Sequence, residues 1–95
     1  MSEEFHVVRN HGSNRYETTV DGKLAIADYV LGDGTITFTH TAVPEEIQEQ
    51  GVASALARTA LNDAKAEGLL VVPQCAFFRG YIEKNPEYQA LVKSR

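Results

Sequence analysis

The stretch from His40 to Ser54 places a glycine and small residues where a candidate strand passes into a candidate helix. The first turn of a helix carries N–H groups with no partner inside the helix, and it lies at the positive end of the helix dipole. Such a terminus can bind a phosphate without a basic side chain. Gly51 would let the phosphate come close, and Ala53 would keep the next turn narrow. The pattern predicts an anion site, with a simple loop and helix cap as the alternative.

Two side chains, those of Cys75 and His40, could take part in catalysis. Cys75 lies at the start of a second candidate helix, where the dipole can lower the pKa of a thiol and favour the thiolate. An unpaired cysteine is also commonly a small buried apolar residue. His40, with an ordinary pKa of about 6.5, could accept a proton at neutral pH, or it could be a hydrogen-bonded histidine at the edge of the core. His6 and His11 show no ligand spacing, so we expect no metal site.

The first half of the chain is predicted to form the β-strands that position these residues. Residues rich in Val, Ile, Thr, Tyr and Phe alternate with glycine-containing turns, and Asp21-Gly22 predicts a two-residue type I′ hairpin because both positions must take positive φ. In the fourth strand, alternation predicts that Ile36, Phe38 and His40 share the core face and that the intervening threonines share the other. The predicted strands are Phe5–Arg9, Arg15–Val20, Lys23–Leu31 and Thr35–Thr41.

The second half of the chain changes to a helical period. An alanine-rich apolar stripe predicts a helix over Gly51–Glu67, and Gly68 marks its end. Leu69–Val72 is apolar on both faces, as is typical of an interior parallel strand. Helices over Ala76–Lys84 and, briefly, Glu87–Lys93 complete the pattern. We expect an α/β (mixed α+β) fold, in which an antiparallel four-strand meander is followed by helix, parallel strand and helix.

Composition limits the classes of protein that this chain can be. Its 95 residues, 43% of them hydrophobic, predict a single domain over residues 1–95 with a core of its own. Thirteen acidic and nine basic residues give a net charge of −4, the wrong sign for nucleic-acid binding. The apolar runs are too short to span a membrane. One cysteine and a start without signal-peptide character predict a cytoplasmic protein, and the oligomeric state stays open.

Several spaced motifs together resemble a known family. The Gln48-x-x-Gly51-x-Ala53 stretch, with a meander before it and a parallel strand after it, resembles the acyl-CoA-binding motif of the GCN5-related N-acetyltransferases. More narrowly, the chain resembles a very small acetyltransferase-like subfamily with a cysteine after its fifth strand. The motifs that carry this narrower resemblance are His40-Thr41-x-Val43-Pro44, Gly51-Val52-Ala53-Ser54, Val72-Pro73-x-Cys75, Tyr81 and Asn85-Pro86-x-Tyr88.

The resemblance implies a role for each candidate residue in transferring acetyl from acetyl-CoA to a primary amine. Coenzyme A would lie where the fourth and fifth strands diverge, with its pantetheine arm paired to the backbone of Thr41 and Val43. Cys75 would line the site or accept the acetyl group, His40 would be the base, and Tyr81 would be the acid or would pack against its neighbours. Gln48 belongs to the cofactor motif, and the pyrophosphate would be held by the amides of Gln50, Gly51, Val52, Ala53 and Ser54.

The acidity of the loop keeps other functions open. Glu45, Glu46 and Glu49 would weaken binding of a phosphate ligand, although the same rim would steer a cationic amine, small molecule or peptide, toward the site. Arg58, Lys84 or Arg79 could compensate at the 3′-phosphate of coenzyme A. The alternatives are a non-catalytic module that binds coenzyme A or acyl-CoA, and an interaction domain that has lost its cofactor site.

Overall fold

A computed structural model describes residues 5–93, apart from the side chain of Glu49. Within these residues the chain forms a five-stranded sheet, two α-helices and two 3₁₀ helices, which is the predicted mixed α+β fold. The strands are β1 (Val8–Asn10), β2 (Arg15–Val20), β3 (Lys23–Gly32), β4 (Thr35–Ala42) and β5 (Leu70–Pro73). The helices are α1 (Val52–Glu67) and α2 (Ala76–Lys84), and the 3₁₀ helices span Glu45–Gln50 and Pro86–Leu91.

The sheet has the strand order β1-β2-β3-β4-β5. The first four strands are antiparallel neighbours, and β5 pairs parallel to β4 after the crossover through α1. Asp21 and Gly22 have φ values of 52° and 74°, so the tight turn between β2 and β3 forms as predicted. The 3₁₀ helix Glu45–Gln50 was not predicted, and it fills the connection between β4 and α1.

One cluster of buried side chains joins the sheet to both helices. The alanine-rich stripe of α1 is buried as expected, which lets the helix lie close to the sheet. An aromatic row crosses the core from Tyr16 through Tyr29 and Phe38 to Phe78, with ring centroids 5.5, 6.5 and 4.2 Å apart. The last pair is parallel-stacked, so an aromatic contact, together with the buried Ile82, fixes α2 to the sheet. Within residues 5–93, no helix has the length and apolar character of a membrane span.

Two predicted strands differ from the observed ones. β1 begins at Val8 rather than at Phe5, although Phe5 and Val7 still pack against the core. β5 lies at the edge of the sheet rather than inside it, and Leu70 is 42% exposed. Because both helices pack on one face of the sheet, the other face of β5 is only partly covered. Beyond β5, among the described residues, the sheet continues only as an isolated bridge from Val71 to Val92.

The Phe38–Phe78 stack gives a stability prediction. Phe78→Ala removes a fully buried ring and should cost about 3–5 kcal/mol of unfolding free energy in urea denaturation. The matched control is Phe77→Ala on the same helix, where the ring is only half-buried and the loss should be roughly half as large or less. Equal losses for the two variants would contradict the role given to the stack.

Candidate functional site

A β-bulge near the end of β4 decides which side chains face the helices. Tyr29 pairs with Phe38, but its neighbour Asp28 pairs with His40, so Thr39 is an extra residue on β4. The bulge reverses the alternation beyond this point. His40 is exposed and lies on the face away from the helices, so the prediction that it shares a face with Ile36 and Phe38 is wrong.

The same bulge turns Thr41 toward the helices, contrary to the prediction that all the threonines of β4 share the outer face. β4 pairs with β5 only over Thr35–Phe38, and the Cys75 amide then donates a hydrogen bond to the Phe38 carbonyl at 2.9 Å. Among the described residues, β4 has no parallel partner beyond that point. β5 ends at this point while β4 continues to Ala42, which leaves an opening beside the end of β4, and there the Thr41 hydroxyl lies 3.2 Å from the Cys75 sulfur.

The surroundings of Cys75 favour its thiolate. Burial raises the pKa of the thiol, but the hydrogen bond with the Thr41 hydroxyl and the nearby amides of Phe78, Phe77 and Thr41 lower it. The net effect is a pKa below that of an ordinary thiol. The amides of Phe77 and Phe78 belong to the first turn of α2, a helix terminus that favours the negative charge of a thiolate.

The N-terminus of α1 has the features predicted for an anion site. Gly51 takes φ of +84°, a left-handed conformation that disfavours most side chains, and a Cβ built at Gly51 would meet no atom within 4 Å. No side chain described in the structure caps the helix, and its first turn contains no acidic residue. The amides of Val52, Ala53 and Ser54 are thus left at an uncapped helix terminus. The next amide, that of Ala55, donates back to Gly51 at 3.1 Å.

The 3₁₀ helix that leads into α1 is braced from two sides. The side-chain amide of Gln48 donates to the carbonyl of Val43 at 3.0 Å, so this motif glutamine orders the connection from within. Gln50 donates to the carboxylate of Asp21 at 3.4 Å, and Lys23 lies 3.7 Å from the Glu46 carboxylate. The last contact is a solvent-exposed ion pair, so it contributes little and leaves the loop acidic.

Two neighbouring cavities open beside these residues, one of about 300 Å³ and one of about 230 Å³. Phe77 lines both. The cavities bring together Thr41, Val43, Gln48, Ala53, Ser54 and Tyr81 of the predicted site, whereas His40 lies on the other face of the sheet. The larger cavity is lined by Thr41, Val43, Gln48, Ala53 and Phe77. The smaller is lined by Ser54, Ala76, Phe77, Gly80, Tyr81 and Lys84.

The sequence did not indicate the position of Phe77, which separates the two cavities. Its ring centroid is 6.1 Å from that of Tyr81, which in turn is 6.1 Å from that of Tyr88. Tyr81 therefore both packs and faces a cavity, so its two predicted roles are compatible. The spacing of Phe77, Tyr81 and Lys84 at i, i+4 and i+7 is the signal that could have placed them on one face of the helix, at the border of the core.

Comparisons with known proteins support the resemblance. A model of the GCN5-related N-acetyltransferase family matches residues 15–91. Protein NATD1 of Xenopus tropicalis is 30% identical to this chain over 83 residues, which cover 87% of this chain and 75% of NATD1. The solution structure of a GCN5-like protein from Staphylococcus aureus matches with a TM-score of 0.73 and 25% identity, covering 95% of this chain and 89% of that one. These similarities confirm the predicted fold and family.

The environment of Cys75 predicts an alkylation profile. Because the thiol pKa is lowered, its reaction with iodoacetamide should rise with pH to a plateau, with a midpoint below that of free cysteine. Thr41→Val removes the hydroxyl but keeps the Cys75 thiol buried, so the midpoint should move to higher pH. Thr41→Ser, which keeps the hydroxyl, is the control and should stay near the parent value. Identical midpoints in all three proteins would contradict the assignment.

Proposed function

This chain belongs to the GCN5-related N-acetyltransferase family, and we propose that it transfers an acetyl group from acetyl-CoA to a primary amine. The observation that carries the proposal is the larger cavity beyond the end of β5, which runs from Thr41, the contact partner of Cys75, to Ala53 in the uncapped first turn of α1. This region offers a thiol near the expected thioester, a partly apolar wall for the pantetheine arm and helix amides for the pyrophosphate.

The residues at the opening fit an acyl-CoA. The larger cavity has a partly apolar wall from Val43, Ala53 and Phe77, which suits the pantetheine arm. The amides of the first turn of α1 suit the pyrophosphate, since they and the helix dipole supply positive charge without a lysine or arginine. Gln48 donates to one lone pair of the Val43 carbonyl, so the second lone pair stays available for pairing with the arm.

Bound acetyl-CoA supplies an activated acetyl thioester, and the protein's part is positioning and proton transfer. Holding the acetyl carbon against an amine makes a bimolecular reaction effectively unimolecular. A backbone N–H near Val43 would stabilise the oxyanion as the amine attacks. The acceptor ammonium would first lose a proton to bulk water. As the C–N bond forms and the C–S bond breaks, the nitrogen would give up a second proton to water, and the departing thiolate would take one from Tyr81, which would regain a proton from solvent. Tyr81 is the proposed donor because it packs against Phe77, which lines both cavities.

The acceptor would be a cationic amine, either a small molecule or a peptide. The exposed carboxylates of Glu45 and Glu46 lie on the 3₁₀ helix that borders the opening, and an acidic rim attracts ammonium groups. His40 stays a proposed base only for an acceptor that approaches from the face of the sheet away from the helices.

The position of His40 also favours a second candidate function, a module that binds coenzyme A without catalysis. Its exposed side chain lies on the opposite face of β4 from Thr41, so a base on the side of Cys75 would have to be another group. Saturable binding of acetyl-CoA without transfer to any of a panel of monoamines, polyamines and peptides would favour the binding module over the enzyme.

Gly51 provides the test of the cofactor site. Amide chemical-shift titration with acetyl-CoA should give saturable changes confined to Thr41–Ser54 and the surroundings of Cys75. Gly51→Asp places a negative charge at the helix terminus and should weaken binding by roughly tenfold or more. Gly51→Asn is the matched control. Asparagine has nearly the same size as aspartate and a similar tolerance of positive φ but carries no charge, so this variant should bind acetyl-CoA more tightly than Gly51→Asp. Equal affinities for the two variants would contradict a pyrophosphate at this terminus.

Cys75 provides the test of a covalent acetyl carrier. If Cys75 only lines the site, Cys75→Ala should keep acetyl-CoA binding and most of the turnover. If Cys75 accepts the acetyl group, the variant should keep binding but lose turnover, and the parent protein incubated with acetyl-CoA alone should gain an acetyl mass on the Cys75 peptide. Mass spectrometry and steady-state rates together decide between the two roles.

A further inference from the structure

We propose that Lys84 recognises the 3′-phosphate of coenzyme A, so that the protein discriminates coenzyme A from its dephosphorylated form. This inference rests on the proposed function. It arises from the smaller cavity, where the Lys84 ammonium is the cationic group among the lining residues, and Ser54 of the first turn of α1 lies on the opposite wall.

The position of Lys84 along α2 fits the far end of the cofactor. Ala76, Gly80 and Lys84 are spaced by four residues and therefore share one face of the helix, which lines the cavity. With a rise of about 1.5 Å per residue, Lys84 lies about 12 Å along the helix from Ala76. Ser54 belongs to the first turn of α1 that is proposed for the pyrophosphate and lines the same cavity, so the adjoining nucleotide end of the ligand would lie within reach of Lys84.

The other cations near the site are less suited to this role. Arg79 donates to the carbonyls of Pro73 and Gln74, at 3.2 and 2.7 Å, and so is committed to the turn before α2. Arg58 is exposed and is not part of either cavity wall. For the Lys84 ammonium, no carboxylate that the structure describes lies within ion-pairing distance, so its charge is not already compensated.

Charge balance explains why this phosphate needs a lysine while the pyrophosphate does not. A phosphate monoester carries about −1.5 to −2 charge near neutral pH, more than either phosphate of the pyrophosphate bridge. The protein has a net charge of −4 and an acidic rim at Glu45 and Glu46. A monoester approaching such a surface is repelled unless a local cation compensates, and a flexible ammonium provides a point charge for a phosphate.

The experiment compares acetyl-CoA with acetyl-dephospho-CoA by isothermal titration in three proteins. The parent protein should bind acetyl-CoA roughly tenfold more tightly than acetyl-dephospho-CoA. This preference should shrink as the salt concentration is raised, because the contact between Lys84 and the phosphate is exposed to solvent. Lys84→Met should lose this preference while binding the dephosphorylated ligand as the parent does. Lys65→Met, which removes an exposed lysine from the last turn of α1, is the matched control and should keep the preference.

Two results would overturn the inference while leaving the proposed function intact. In one, Lys84→Met keeps the full preference for the phosphorylated ligand. In the other, Lys84→Met weakens the binding of both ligands by the same factor, which would mean that Lys84 contacts a group that the two ligands share. A parent protein that binds neither ligand would instead overturn the proposed function, and the inference with it, so the two failures are distinguishable.

Discussion

Beyond Phe38 the backbone of β4 stops pairing with β5, and the arrangement of the site depends on this interruption. The Cys75 amide makes the last link between the two strands, after which the chain turns into α2. The extra residue at Thr39 re-aims β4 at this point, so that Thr41 meets the Cys75 thiol. Without the bulge, regular alternation would put His40 in the opening and Thr41 in solvent. One added residue in a ladder thus selects which functional groups line the opening.

The polar side-chain contacts that brace α1 lie far from the opening, which leaves the amides at its N-terminus available for a ligand. The Tyr16 hydroxyl donates to Asp63 at 2.9 Å. The burial of Tyr16, the larger cause, and this hydrogen bond both raise its pKa well above the ordinary value. The guanidinium of Arg9 lies over the rings of Tyr16 and Tyr29. The Tyr88 hydroxyl donates to Asn62 at 2.9 Å. All of these partners on α1 lie in its second half, so the amides of its first turn take no part in anchoring the helix.

Local signals in the sequence were sufficient for much of the fold. The alternation of Arg15–Val20, the turn at Asp21-Gly22 and the 3.6-residue period after Gly51 each depend on neighbours within a few residues. The bulge could not be predicted, because the threonines of β4 continue the alternation without a break and an extra residue exists only relative to the partner strand β3. The smaller cavity depends on how α2 packs against α1, which no short-range pattern in the sequence encodes. The 3₁₀ helix Glu45–Gln50 is too short to show a period.

The contacts of the turn between β2 and β3 have a consequence for engineering. Exposed two-residue turns are ordinarily where a chain accepts tags, insertions or new termini. Here Asp21 and Lys23 reach the 3₁₀ helix that precedes Gly51, through contacts that are individually weak but act on the same short segment. A lengthened turn would release that segment. A fluorescent label or fusion partner is therefore better placed at the connection between β1 and β2, where His11–Asn14 is exposed and belongs to neither cavity wall.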